Sequence, residues 1–150
     1  MCLAPAMEAL ARLHRRQVEA LRAIATRSLL PAGVPLSVVA RSLRISPPSA
    51  LGHLRILESM RLVMRRGGKT RLTPRGWITL REYERHHRLA ESLFASLGWK
   101  ARDACRAARE IDLALTHTTV ERLCDTQGHP RRCPHGRPIS PCIPRRTPGR

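Results

Sequence analysis

Residues 35–73 read PLSVVARSLRISPPSALGHLRILESMRLVMRRGGKTRLT, and the rest of the chain is organised around them. The first piece, about 36–44, is an amphipathic helix with Val38, Val39 and Leu43 turned inward. Ser46 is a good N-cap, and Pro47 takes the first helical position, where a missing N–H costs nothing. The helix that follows, to about Met60, sets Ala50, Leu54 and Leu57 on one face with Leu51 beside it. Ser49, His53 and Arg55 fall away from that face. A helix of about 15 residues is roughly 22 Å long, which suits a DNA major groove. Gly52 inside it costs ~1 kcal/mol relative to Ala. Residues 62–64 and 71–73 lean towards strand and pair around Arg66-Gly67-Gly68-Lys69, since Gly-Gly makes a good two-residue hairpin turn. Helix, turn, helix and basic hairpin is the order of a winged helix-turn-helix. The GKT within it also invites a phosphate-loop reading. The first glycine of G-x-x-x-x-G-K-S/T would then fall on Val63, which argues against it.

Charge supports a polyanionic partner. The chain has 150 residues and a net charge of +17, far more than solubility needs. Only Lys69 and Lys100 are lysines, so GC-rich coding could account for the arginine excess, but not for its placement. From residue 20 to 81 the only acid is Glu58, among Arg22, Arg41, Arg44, Arg61, Arg75 and other cations. Ser46, Ser49, His53 and Arg55 on the second helix are expected to meet bases and phosphates. Arg65, Arg66, Lys69 and Arg71 on the wing are expected to meet backbone or minor groove.

Upstream, Leu10, Leu13, Val18, Leu21 and Ile24 predict one long helix over 5–30, stopped by Pro31-Ala32-Gly33. Downstream, Pro74 opens a helix to about Leu97. Its stripe of Trp77, Leu80, Tyr83, His87, Ala90, Phe94 and Leu97 suits a dimer interface or core packing equally. Another helix is expected from about Ala101 to Leu115, with Ala104, Ala108 and Ile111 in step. Thr118 and Glu121 read as a capping box for a last helix that Gly128 closes. From there Pro, Gly and Arg dominate, and the last residues are expected to be disordered.

No apolar run approaches the ~20 residues needed to cross a bilayer, and the N-terminus lacks signal-peptide form. A cytoplasmic location is expected, with no membrane partner. The five cysteines then read as thiols or metal ligands before disulfides. Cys124, Cys133, His135 and Cys142 in the tail can bind Zn²⁺ or hold an Fe–S cluster, or stand as free thiols on a structural loop. No Ser-His-Asp arrangement, nucleotide loop or HExxH motif is present, so no enzyme is expected.

Four stretches together resemble one family: ISPPSALGHLRILESMRLV, LTPRGW, RHHRLAESLF and VERLCDTQGHPRRCPHGRPIS. Over about residues 17–142 the chain resembles the iron- and manganese-dependent repressors, the diphtheria toxin repressor family. The resemblance implies a mainly α protein: a winged helix-turn-helix with a short β-hairpin wing, then a helical dimerisation and metal-binding domain. It implies an N-terminal extension at 1–16, a DNA-binding domain at 17–75, the helical domain at 76–142 and a basic tail at 143–150. The chain ends before the family's C-terminal SH3-like domain would begin, so a short form is expected. The family's activity would be repression by a homodimer on a palindromic double-stranded DNA operator, in response to Fe²⁺ or Mn²⁺.

The family's metal residues carry over one at a time. His87 and Glu91, four apart on one helix face, match its ancillary-type pair, and the third member falls near Cys105. Their plain alternative is a helix-surface pair. Glu19 sits where the first helix donates to the primary site. The primary-site run aligns with Arg109, Glu110, Ile111, Asp112 and Leu113. Asp112 can still ligate, whereas Leu113 cannot and Arg109 would repel a cation. Three readings stay open. Metal binds around His87, Glu91, Cys105 and Asp112, with Glu110 or Glu19 helping. Metal control has been lost, with Arg109 in the cation's place. Or the thiol-rich tail has taken over. The alternatives for the whole protein are a metal-independent winged-helix repressor and a non-specific basic nucleic-acid-binding protein with a structural zinc tail.

Overall fold

A computed structural model describes residues 4–27 and 33–141. The expected basic tail, Cys142 and the Pro31-Ala32 helix stop lie outside the described residues. The chain divides into two compact units, Met1–Tyr83 and Glu84–Arg150.

In unit 1 the order is α1 (Ala4–Ala11), α2 (Arg15–Ala25), β1 (Val34–Pro35), α3 (Leu36–Leu43), α4 (Pro47–Ser59), β2 (Val63–Arg66), β3 (Lys69–Leu72) and the start of α5 (Pro74–Ser96). The single long helix expected over 5–30 is two helices. The break at Arg12–His14 carries no Gly or Pro. It is set by a local bond, His14 N–H donating to Gln17 Oε1 at 2.9 Å, which starts α2 afresh. α2 packs on α3, α4 and β3, and α4 also packs on α3 and β2. Val18, Leu21, Ile24, Val39, Leu54, Leu57 and Leu62 are fully buried between them. Each such side chain contributes roughly 2 kcal/mol of burial, so the trihelical head is held by its own apolar faces.

Ser46 caps α4 as its sequence predicts, accepting from Ser49 N–H at 3.3 Å. The hairpin register pairs Arg66 with Lys69 across Gly67 and Gly68, both at positive φ. A third strand was not legible: β1, only two residues long, pairs antiparallel with β3 and gives the order β1-β3-β2. Thr73 joins wing to helix. Its hydroxyl donates to Arg61 O at 2.7 Å and accepts from Gly76 N–H at 3.0 Å, which caps α5. Gly76 is required here, because a Cβ would stand 2.0 Å from Leu62 O.

Unit 2 holds the rest of α5, then α6 (Ala101–Ile111), α7 (His117–Thr126) and a loop to residue 141. The cap of α7 is Thr116, accepting from Thr119 N–H at 3.2 Å. The expected Thr118–Glu121 box is therefore not the cap. Glu121 is buried and binds Arg85 at 3.0 Å. Leu89, Val120, Cys124, Cys133 and Ile139 form the unit's apolar cluster. The loop is clamped on α5, where Arg85 Nε donates to Ser140 O at 3.2 Å and Arg88 Nη1 to Pro138 O. Of the expected α5 stripe, Leu80, Tyr83, His87 and Ala90 are buried, whereas Trp77 and Leu97 are exposed.

Candidate functional site

The wing of unit 1 concentrates positive charge at its tip. Along β3 the burial alternates, with Lys69 and Arg71 exposed and Thr70 and Leu72 buried. On β2, Met64 and Arg66 are exposed and Val63 is buried. Arg66 therefore faces Lys69 directly across the ladder. Like charges opposed on a sheet are destabilising, a cost that a polyanion laid across them would remove. Arg65 differs, being half-buried and paired with Glu58 at 3.6 Å. On α4, Ser49 and Arg55 are exposed, and His53 is half-buried with its Nδ1 lacking a partner. The Ser46 and Ser49 hydroxyls bond each other at 2.8 Å.

Unit 2 carries the metal-donor residues. His87 and Glu91 stand one turn apart on α5, and both are buried. His87 Nδ1 lies 3.0 Å from Asp112 Oδ2, and its Nε2 lies 3.5 Å from Cys105 Sγ. Asp112 is fully buried. With Nδ1–H donated to that carboxylate, Nε2 carries the ring's lone pair on the side of the thiol. Burial first, then the Glu91 carboxylate, pushes the Cys105 thiol above its ordinary range, with Arg109 opposing.

Beside this pair, Glu91, Cys133 and His135 offer donor atoms that all lie within 4.8 Å of one another. The His135 ring is bonded to the Glu91 carboxylate. The turn that presents them is tight. Gly136 N–H donates to Cys133 O at 2.7 Å, Cys133 N–H to Arg137 O at 2.9 Å, and Gly136 sits at φ +75°. One thiol, one imidazole and one carboxylate make a mixed donor set that suits a first-row divalent ion.

Sequence reasoning named every member of this cluster but grouped them differently. It set Cys133 and His135 with Cys124 and Cys142, apart from Glu91. The structure places Cys124 in the apolar cluster with its sulfur 3.5 Å from His129 Nδ1. Among the described residues no donor group contains Cys124. Glu110 is exposed on α6 and Leu113 half-buried. Glu19 belongs to unit 1, where Arg16 pairs with it at 3.2 Å. The signal that joins the groups is the C-P-H-G turn itself, which sends a thiol and an imidazole the same way.

Residues 73–141 match the family model described as the iron dependent repressor, metal binding and dimerisation domain. Among solved structures, the hypothetical protein SSo2273 from Sulfolobus solfataricus aligns at TM-score 0.81 and 26% identity, over 85% of this chain and 99% of that one. IdeR of T. acidophilum aligns at TM-score 0.63 and 26% identity, over 85% of this chain and 59% of its own. A manganese-dependent transcriptional repressor in complex with manganese aligns at 0.68 and 26%, over 86% and 63%. The chain thus spans under two thirds of the length of the last two. A search of curated sequences finds no match.

Proposed function

We propose that this chain, whose residues 73–141 match the metal binding and dimerisation domain of the iron dependent repressors, is a member of that family and a metal-gated, sequence-specific DNA-binding repressor. It acts as a homodimer on a palindromic operator and responds to Fe²⁺ or Mn²⁺. The observation that carries this reading is the convergence of Glu91, Cys133 and His135, inside the matched segment. They share a chain with an acid-poor reading head.

Glu91, Cys133 and His135 would hold one ion. His87 Nε2 and Cys105 would offer a neighbouring pair of donors, with Asp112 fixing the ring and its tautomer rather than ligating, as carboxylate partners of ligating histidines do. The bound ion supplies positive charge that offsets the buried carboxylates. The thiolates favour Fe²⁺ over Mn²⁺, while the carboxylates admit either. On the DNA side, the α4 N-terminus with Ser46 and Ser49 would meet phosphate, Arg55 and His53 a base edge or phosphate, and Arg66, Lys69 and Arg71 the backbone.

The test is a selection of duplexes from a random pool with Mn²⁺ present, then a salt titration on the selected and a scrambled duplex. Specific repressors bind their site at least about 10³-fold tighter than other DNA. Equal affinity for both duplexes sinks the reading.

A further inference from the structure

Another face of α5 carries a second, differently built set of donors. His86 follows the same helix one residue before His87, so its ring leaves the axis about 100° away. It is 2% exposed, and among the described residues neither of its ring nitrogens has a hydrogen-bond partner. Burial holds it neutral, with its pKa lowered to about 4, and the His117 and Arg85 charges push the same way. The Asp112 backbone and its carboxylate charge push the other way. A neutral imidazole has one donor and one acceptor nitrogen, and leaving both bare in a core costs about 1–3 kcal/mol each.

Its neighbour in unit 2 is His117, in the first turn of α7, whose Nδ1 is also buried without a partner. The two rings offer nitrogens within 4.8 Å of one another. Donors about 2.1 Å from a tetrahedral ion stand roughly 3.4 Å apart, so small χ rotations close the set.

The Arg85 guanidinium beside His86 is paired with Glu121 at 3.0 Å. The same Glu121 oxygen lies 3.9 Å from His117 Nε2, where it can orient the ring.

We propose that His86 and His117 form a second divalent-cation site within unit 2, separate from the Glu91 group and free of thiolate. Imidazole ligands suit Zn²⁺ or Fe²⁺. Bound there, the ion satisfies both orphaned rings and ties the first turn of α7 to α5. The proposal needs no DNA binding and stands apart from the repressor reading.

Co²⁺ titration of the full chain tests it, with zinc stoichiometry after equilibrium dialysis beside it. Thiolate ligands give a sulfur-to-cobalt charge-transfer band, whereas a site without thiolate gives d–d bands alone. His117→Ala is expected to bind one zinc equivalent fewer than wild type and to keep the charge-transfer band. Glu91→Gln is expected to retain the equivalent that His117→Ala loses. The His117 side chain is 40% exposed, so its removal leaves no core cavity. If His117→Ala fails to fold, His117→Asn carries the same comparison. Wild-type stoichiometry in the folded variant overturns the proposal.

Discussion

Unit 1 and unit 2 treat charge in opposite ways. Unit 1 keeps its cations outside: Arg55, Arg66, Lys69 and Arg71 are exposed, over a core of Leu, Val and Ile. Unit 2 takes ionisable groups inside, where Arg85, His86, His87, Glu91, Asp112 and Glu121 are all buried. A head built the first way folds on apolar area and meets its ligand with a surface that costs little to change. A domain built the second way has desolvated groups whose balance depends on every partner. On the proposed function, a cation would act on unit 2 as part of its structure, whereas DNA would act on unit 1 as an external ligand.

The harshest test of this contrast strikes the apolar unit. Gly76→Ala drives a Cβ to 2.0 Å from the Leu62 carbonyl, backbone against backbone. A loss of about 3 kcal/mol or more is expected, seen as a large fall in the melting temperature by circular dichroism. An unchanged melt would show that the wing-to-helix junction is looser than described.

Next in size is the donor set. Glu91→Gln should weaken Fe²⁺ or Mn²⁺ binding by about 100-fold in calorimetry, at or above the effect of losing an outer partner. It should also remove the stabilisation that metal at the Glu91 group contributes, which amounts to about 2.7 kcal/mol at a hundredfold excess over Kd. If metal stabilises Glu91→Gln as it does wild type, the buried charge of unit 2 is self-sufficient.

Smaller effects separate cap from contact. Ser46→Ala should cost ~1 kcal/mol of stability through the lost α4 cap. Arg66→Ala should leave stability nearly unchanged, lower affinity alike on all DNA sequences, and reduce the salt slope by about 0.9. A slope that does not move removes Arg66 from the phosphate contacts.

Unit 1 was largely legible because its signals are local. Ser46-Pro47, the α4 apolar face and Gly67-Gly68 each specify their structure within a few residues. The sequence was silent where a single hydrogen bond or a long-range neighbour decides. The α1–α2 break rests on Gln17, and β1 exists only because β3 lies beside it. Gly76 is explained only by Leu62. Within the candidate site, His87, Glu91 and Cys105 were readable through family resemblance and helical spacing. That Cys133 and His135 join Glu91 was not, because the loop is held there by Arg85 and Arg88, whose targets are backbone carbonyls. His86 and His117 stand 31 residues apart, and neither spacing nor resemblance pointed to them as a pair.

The central claim is that metal in unit 2 governs what unit 1 does on DNA. Fluorescence anisotropy on a selected duplex, with Mn²⁺ and then with chelator, tests it most directly. Wild type should bind at least tenfold tighter with Mn²⁺, and His87→Ala and Glu91→Gln should lose that gain while keeping the chelated baseline. The same affinity with ion and with chelator in wild type would contradict the account.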